Sequence, residues 1–141
     1  MDKTAVEALI RRILLEELGQ PAPRVRMVAL PGVRTQEKDR LDTGDPAHRV
    51  YTHDLFSLEE SPRLGVGVME MEDTTFPWTL NYDEVDYVIE GKLDILTEGE
   101  RVSAGAGELI FIPKGSKIQF SVTGKARFLY VTYPAAWQSK G

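Results

Sequence analysis

The sequence predicts an all-β barrel preceded by one amphipathic helix, and three observations predict it. Apolar residues at helical spacing are confined to Thr4–Leu18. From Val25 onward the chain breaks into short runs rich in β-branched and aromatic residues, separated by turn formers. Among those turns Gly91, Gly99, Gly107 and Gly115 fall eight residues apart, the interval of short antiparallel strands in a barrel or sandwich. At 141 residues the chain has material for one substantial core but not two. Its 42% hydrophobic and 28% charged composition argues against disorder and fibrous repeats.

The helix comes first. Val6, Leu9, Ile10, Ile13, Leu14 and Leu18 share one face, with Glu7, Arg11, Arg12, Glu16 and Glu17 between them. Thr4 and Glu7 have the spacing of a capping box, and Gly19 supplies a left-handed terminus. Pro21 and Pro23 forbid continuation and make residues 20–24 a stiff extended linker. The expected organisation is therefore a helix over 1–19, a linker over 20–24 and a barrel over 25–141. Strands are expected at Val25–Leu30, Arg49–Leu55, Leu64–Met71, Val85–Glu90, Lys92–Thr97, Leu109–Ile112, Lys117–Val122 and Ala126–Tyr133. The polar stretch between Pro31 and Pro46 has no periodic apolar face and is expected to be a surface loop.

Bulk properties restrict the function. A net charge of -5 and the absence of a basic block interleaved with aromatics speak against nucleic acid as the main partner, while a single nucleotide stays open to a locally basic site. With no cysteine there are no disulfides, thiolate metal sites or cysteine nucleophiles. No signal core or spanning segment is present, so the expectation is a cytoplasmic protein without a membrane partner.

Two clusters resemble the paired signatures of the cupin superfamily, which implies a double-stranded β-helix, or jelly-roll, barrel. In the first, six residues separate Glu84 from Gly91; the second carries Gly107, Pro113 and Gly115. Cupin metal sites use two histidines before that glutamate and one after the second glycine. Here the first pair is replaced by Pro77-Trp78-Thr79-Leu80 and the third by Ile118, none of which ligates a transition metal well. The only histidines, His48 and His53, precede both motifs and are expected to be structural or solvent-facing.

The segments 76–91, 110–116 and 127–137 resemble the EutQ family of ethanolamine utilisation. That resemblance implies a bacterial microcompartment context and acetate kinase-type phosphoryl transfer, ATP and acetate exchanging with ADP and acetyl phosphate. It also implies a Mg²⁺-nucleotide as cofactor. Cupins commonly pair, so a homodimer is expected.

The residues themselves leave alternatives open. In a strand, residues two apart share a face, so Glu84, Asp86 and Val88 point into the barrel if the motif alignment holds. The two carboxylates are candidate catalytic residues and candidate ligands for one hydrated Mg²⁺, a cation that takes oxygen donors. Equally, they pair with Lys92, Lys114 or Arg127 and serve packing. Something positive is expected nearby, because buried unpaired charge is costly. Trp78, Leu80, Ile118 and Phe120 either line a half-dry cavity for a small acid or base, or simply fill the barrel. Tyr82 and Asp83 are expected at its rim, and Lys114 approaches a phosphate or marks a turn; with Trp78 these are the candidate substrate-binding residues.

The N-terminal helix resembles encapsulation peptides that dock cargo on microcompartment shells, and alternatively folds back on its barrel or dimer mate. Three functions thus stand beside one another: a compartment-associated kinase, a non-catalytic assembly protein recruited to the shell, and a small-molecule sensor.

Overall fold

The computed structural model describes residues 2–17 and 23–138, and the chain divides into two units, Met1–Leu30 and Pro31–Gly141. In the first, α1 spans Lys3–Glu17. Its cap is Asp2, whose Oδ1 accepts the Ala5 amide at 2.7 Å. The helix therefore begins earlier than the expected Thr4–Glu7 box, because a short carboxylate just before the first turn reaches a free amide there. Val6, Leu9, Ile10 and Ile13 form an exposed apolar row. Leu18, the expected Gly19 terminus and Gln20–Ala22 of the linker lie outside the described residues, as does the side chain of Leu14.

Val25–Leu30 is not a strand: residues 23–29 carry no regular structure, and Val25 and Met27 are exposed. β-branched composition makes a strand only where a neighbouring ladder takes up the backbone groups.

Among its described residues the second unit holds seven strands: β1 (Arg49–Asp54), β2 (Gly65–Thr79), β3 (Asp83–Glu90), β4 (Lys92–Thr97), β5 (Glu100–Gly105), β6 (Leu109–Ile112) and β7 (Lys117–Tyr133). The long strands β2 and β7 run through both faces of the barrel. Gly65–Glu72 pairs with residues 125–132; after a bulge, Thr74–Thr79 pairs with 117–122. At that corner Asp73 takes a φ of 40° and its carboxylate accepts the Gly124 amide at 2.6 Å. β3 passes into β4 through Gly91, whose φ is 80°. A Cβ there would collide with the Lys125 carbonyl and lie 2.8 Å from the Ala126 Cα.

The result is one seven-stranded sheet with two arms, β1-β2-β7-β3-β6 and a branch in which β4 pairs with β7 and β5, closed over one core. This is the expected double-stranded β-helix. Phe76, Phe120 and Phe128 stack through its centre, with centroids 5.3 and 6.5 Å apart.

The stretch 31–46 is docked rather than free. The Leu41 amide donates to the Val50 carbonyl at 2.9 Å, Arg40 bridges to Tyr51, and Leu41 packs against the core. Both histidines hold it. His53 Nδ1 lies 3.2 Å from Asp39 Oδ1, and His48 Nδ1 lies 2.7 Å from Thr43 Oγ1. Their structural role is the expected one.

Candidate functional site

β3 alternates in the pattern its sequence implies. Asp83 and Tyr87 face out, while Glu84, Asp86 and Val88 are buried at 3%, 0% and 0% exposure. Glu84 stands between Ile112 of β6 and Thr132 of β7, and Asp86 between Ile110 and Tyr130. The two acids thus sit on one inner wall among mostly apolar neighbours.

The expected cation is absent. Among the described residues no Lys, Arg or His pairs with either carboxylate. Lys92 lies 3.8 Å from Asp94, the Lys114 amide donates to Asp83 at 2.8 Å, and Arg127 lies 3.9 Å from both Glu70 and Glu90. Glu84 Oε2 and both Asp86 oxygens are buried without a hydrogen-bond partner. The two carboxyls interact directly: Asp86 works to lower Glu84, while Glu84 raises Asp86. Burial pushes Glu84 up to about 7, and burial together with the charge on Glu84 raises Asp86 well above the ordinary carboxylate range. At neutral pH the pair retains a proton, which is how the barrel tolerates it.

Beside Glu84 lies a void of about 10 Å³, room for one water molecule. Its lining is Leu41, Met69, Phe76, Trp78, Tyr82, Phe120, Tyr130, Trp137 and Glu84. The aromatic rings brace one another: Tyr130 meets Trp137 edge-on at 5.4 Å, and Trp78 and Trp137 lie 6.2 Å apart. Three of their polar hydrogens have acceptors. Trp78 Nε1 donates to Tyr82 Oη at 2.7 Å, Tyr130 Oη to Asp54 Oδ1 at 2.6 Å, and Trp137 Nε1 to Asp54 Oδ1 at 3.2 Å. Burial first, then the neighbouring acids, hold the Tyr82 and Tyr130 hydroxyls protonated.

Among the expected substrate contacts, Trp78 lines the void and Asp83 stands at the rim. Tyr82 is not at the rim but inside, 3% exposed, because its hydroxyl follows Trp78 inward. Lys114 belongs to the exposed turn closed by Asp83. Leu80 and Ile118 fill the core without reaching the void. Tyr130, Trp137 and Asp54 carry no role in the sequence reading. Tyr130 had a signal, its two-residue spacing from Phe128 and Thr132 on one face of β7. It reaches Asp54 past Gly67, where a Cβ would collide with the Tyr130 ring.

A hydrated Mg²⁺ does not fit between Glu84 and Asp86. The ion keeps near-octahedral oxygen ligation with several waters; the wall offers two carboxyls, no third acidic or His group among the described residues, and space for one water. Nor does the void have room for a nucleotide. A larger cleft of about 280 Å³ is lined by residues that include Arg34, Tyr51, Glu70, Glu72, Glu90, Lys125 and Arg127. Arg127 is 3% exposed there, and its Nη2 donates to the Val33 carbonyl at 2.7 Å.

A protein from Clostridioides difficile named acetate kinase EutQ is 58% identical over 99% of this chain and 96% of its own length. The solved structure of a Clostridium difficile EutQ protein matches with a TM-score of 0.79 and 68% identity, covering 82% of this chain and 84% of that one. The cupin domain of Schizosaccharomyces pombe Cnp3 shares the fold at 18% identity, TM-score 0.61, over 82% of this chain and 73% of that one. The chain spans 64% of the length of a Salmonella typhimurium relative also named acetate kinase EutQ. Since the family described as ethanolamine utilisation protein EutQ matches residues 1–139, the whole barrel and its helix included, the chain belongs to the EutQ family.

Proposed function

We propose that this EutQ-family cupin catalyses acetate kinase-type phosphoryl transfer, and that it does so in the larger cleft. The reading rests on the near full-length similarity to a relative named acetate kinase EutQ. Transfer from acetyl phosphate to ADP breaks the P–O bond to the acetyl carboxylate and forms one to the terminal phosphate of ADP, releasing acetate. Such chemistry is mostly positioning and charge neutralisation. The inner wall supplies acids and no space, whereas the cleft supplies Arg34, Lys125 and Arg127 in a volume that admits phosphates.

The test is ATP formation from acetyl phosphate and ADP. Lys125→Met and Arg34→Met, both partly or fully exposed and tolerant of change, should each lower kcat/KM at least about tenfold. Wild-type protein that forms no ATP refutes the reading. Activity intact in both cleft variants but lost in Glu84→Gln and Asp86→Asn would return the chemistry to the barrel interior.

The exposed row Val6, Leu9, Ile10 and Ile13 supports recruitment to a microcompartment shell, because a helix of 15 residues gains stability by burying such a face on a partner. Removing residues 1–19 should abolish co-sedimentation with shell proteins while the barrel keeps its melting transition. Persistent co-sedimentation would rule the helix out as the anchor. Homodimer formation is supported by Tyr87, Leu109 and Phe111, an exposed apolar stripe on β3 and the edge strand β6.

A further inference from the structure

The void beside Glu84 has an unusual combination of properties. It is water-sized and walled by Phe76, Trp78, Tyr82, Tyr130 and Trp137. Glu84 lines it, is 3% exposed, and has an oxygen with no partner; Asp86, fully buried two residues on, has none for either oxygen. The Trp78 indole donates to the Tyr82 hydroxyl within the wall, and the Trp137 indole and the Tyr130 hydroxyl donate to Asp54, so beyond Glu84 and the Tyr82 hydroxyl the wall offers the void chiefly ring carbon.

An occupant must therefore satisfy two demands. It must be positive, because once the pair gives up its proton above about pH 7 no cation among the described residues lies against either carboxylate to take its place. It must also gain from π faces, because ring carbon cannot complete the coordination of a hard metal ion. Anions fail the first demand and divalent metals the second. Water would satisfy the lone Oε2 but leave the charge unmet. An ammonium group meets both: it donates N–H bonds to a carboxylate and is attracted to aromatic faces, most strongly when desolvated.

We propose that this cage binds an ammonium head group, as the free ammonium ion or as the charged end of a small primary amine. The void accepts the head group alone. Any carbon tail leaves past Leu41 and Trp78, the two lining residues that pack on the core while remaining only partly buried. The assignment is independent of the phosphoryl transfer proposed for the larger cleft.

The site carries its own reporter, since both tryptophans of the sequence, Trp78 and Trp137, line it. Tryptophan emission of the whole protein at pH 8 is titrated with ammonium chloride, ethanolamine hydrochloride, sodium chloride and tetramethylammonium chloride at constant ionic strength. The proposal expects a saturable change with ammonium or ethanolamine and none with sodium or tetramethylammonium. Tighter binding of ethanolamine assigns a small amine; tighter binding of ammonium assigns the free ion. Glu84→Gln should weaken the affinity at least about tenfold. The idea is overturned by no saturable change up to about 100 mM of either ligand, by an equal response to sodium, or by unchanged affinity in folded Glu84→Gln.

Discussion

Glu84→Gln is expected to melt higher than the parent protein at pH 8 and no differently at pH 4. The native carboxyl titrates near 7 because burial disfavours its charged form, against 4.5 for the free group. Below the lower value both folded and unfolded states are protonated, so nothing is lost. Between the two values the unfolded chain releases its proton while the native state holds it, so native stability falls as pH rises. Above about 7 the full penalty applies. At roughly 1.4 kcal/mol per pH unit it is on the order of 3 kcal/mol, or roughly 10 °C for a domain of this size. Gln has the same shape and cannot ionise, so it removes the slope. Thermal unfolding across pH 4–9 measures it; parallel melting curves for the two proteins would show that Glu84 is partnered in solution.

Such a gain on substitution is what a residue kept for binding, at a cost in stability, should show. Saturating ammonium should correspondingly raise the melting temperature of the parent at pH 8, since a ligand that binds only the native state stabilises it. The same addition should leave Glu84→Gln nearly unchanged. One side chain then explains both a stability defect and the means of relieving it.

Much of this was legible in the sequence, and the failures have physical reasons. The glycines at 91, 99, 107 and 115 all take φ between 70° and 92°, so their eight-residue spacing reported turns that only glycine adopts readily. Alternation along β3 correctly placed Glu84 and Asp86 inside. The second half of β2 was not legible. The expected strand ended at Met71, yet the chain continues as strand to Thr79, with Pro77 opposite Gln119 on a segment with a neighbour on one side only, where a missing amide is tolerated. β5 was missed because Glu100–Gly105 has little β-propensity, and its strand form comes from pairing with β4.

The site was legible only where one strand defines it. Period-two reasoning shows which residues share a wall, but not what lies across the barrel. Tyr130 and Trp137 converge on Asp54 from 76 and 83 residues away, a relation that closure of the sheet creates. The same limit explains the misplaced cation. Lys92, Lys114 and Arg127 were close enough in the sequence pattern to reach the acids, but the register of β7 sets Arg127 opposite Glu90 rather than opposite Glu84, which faces Thr132.

That register makes Arg127→Met the most damaging substitution expected in the barrel. The guanidinium is 3% exposed, lies 3.9 Å from Glu70 and Glu90, and holds the Val33 carbonyl at 2.7 Å. Methionine fills much of the volume but leaves the carbonyl without that donor and the two carboxylates without the charge between them. Breaking a buried pair by removing one member costs about 3–5 kcal/mol. Glu70 and Glu90 are both partly open to solvent, which places the loss near about 3 kcal/mol. The damage should spread unevenly. Thr35 donates its amide to Glu70 at 3.1 Å, so residues 33–41 lose two anchors at once, and their amides should exchange with solvent before those of β7. Adding Glu90→Gln should recover part of the loss, because it removes one of the stranded charges. Equal stability of Arg127→Met and the parent in denaturant titration would mean that the carbonyl and the carboxylates, rather than the arginine, hold the segment in place.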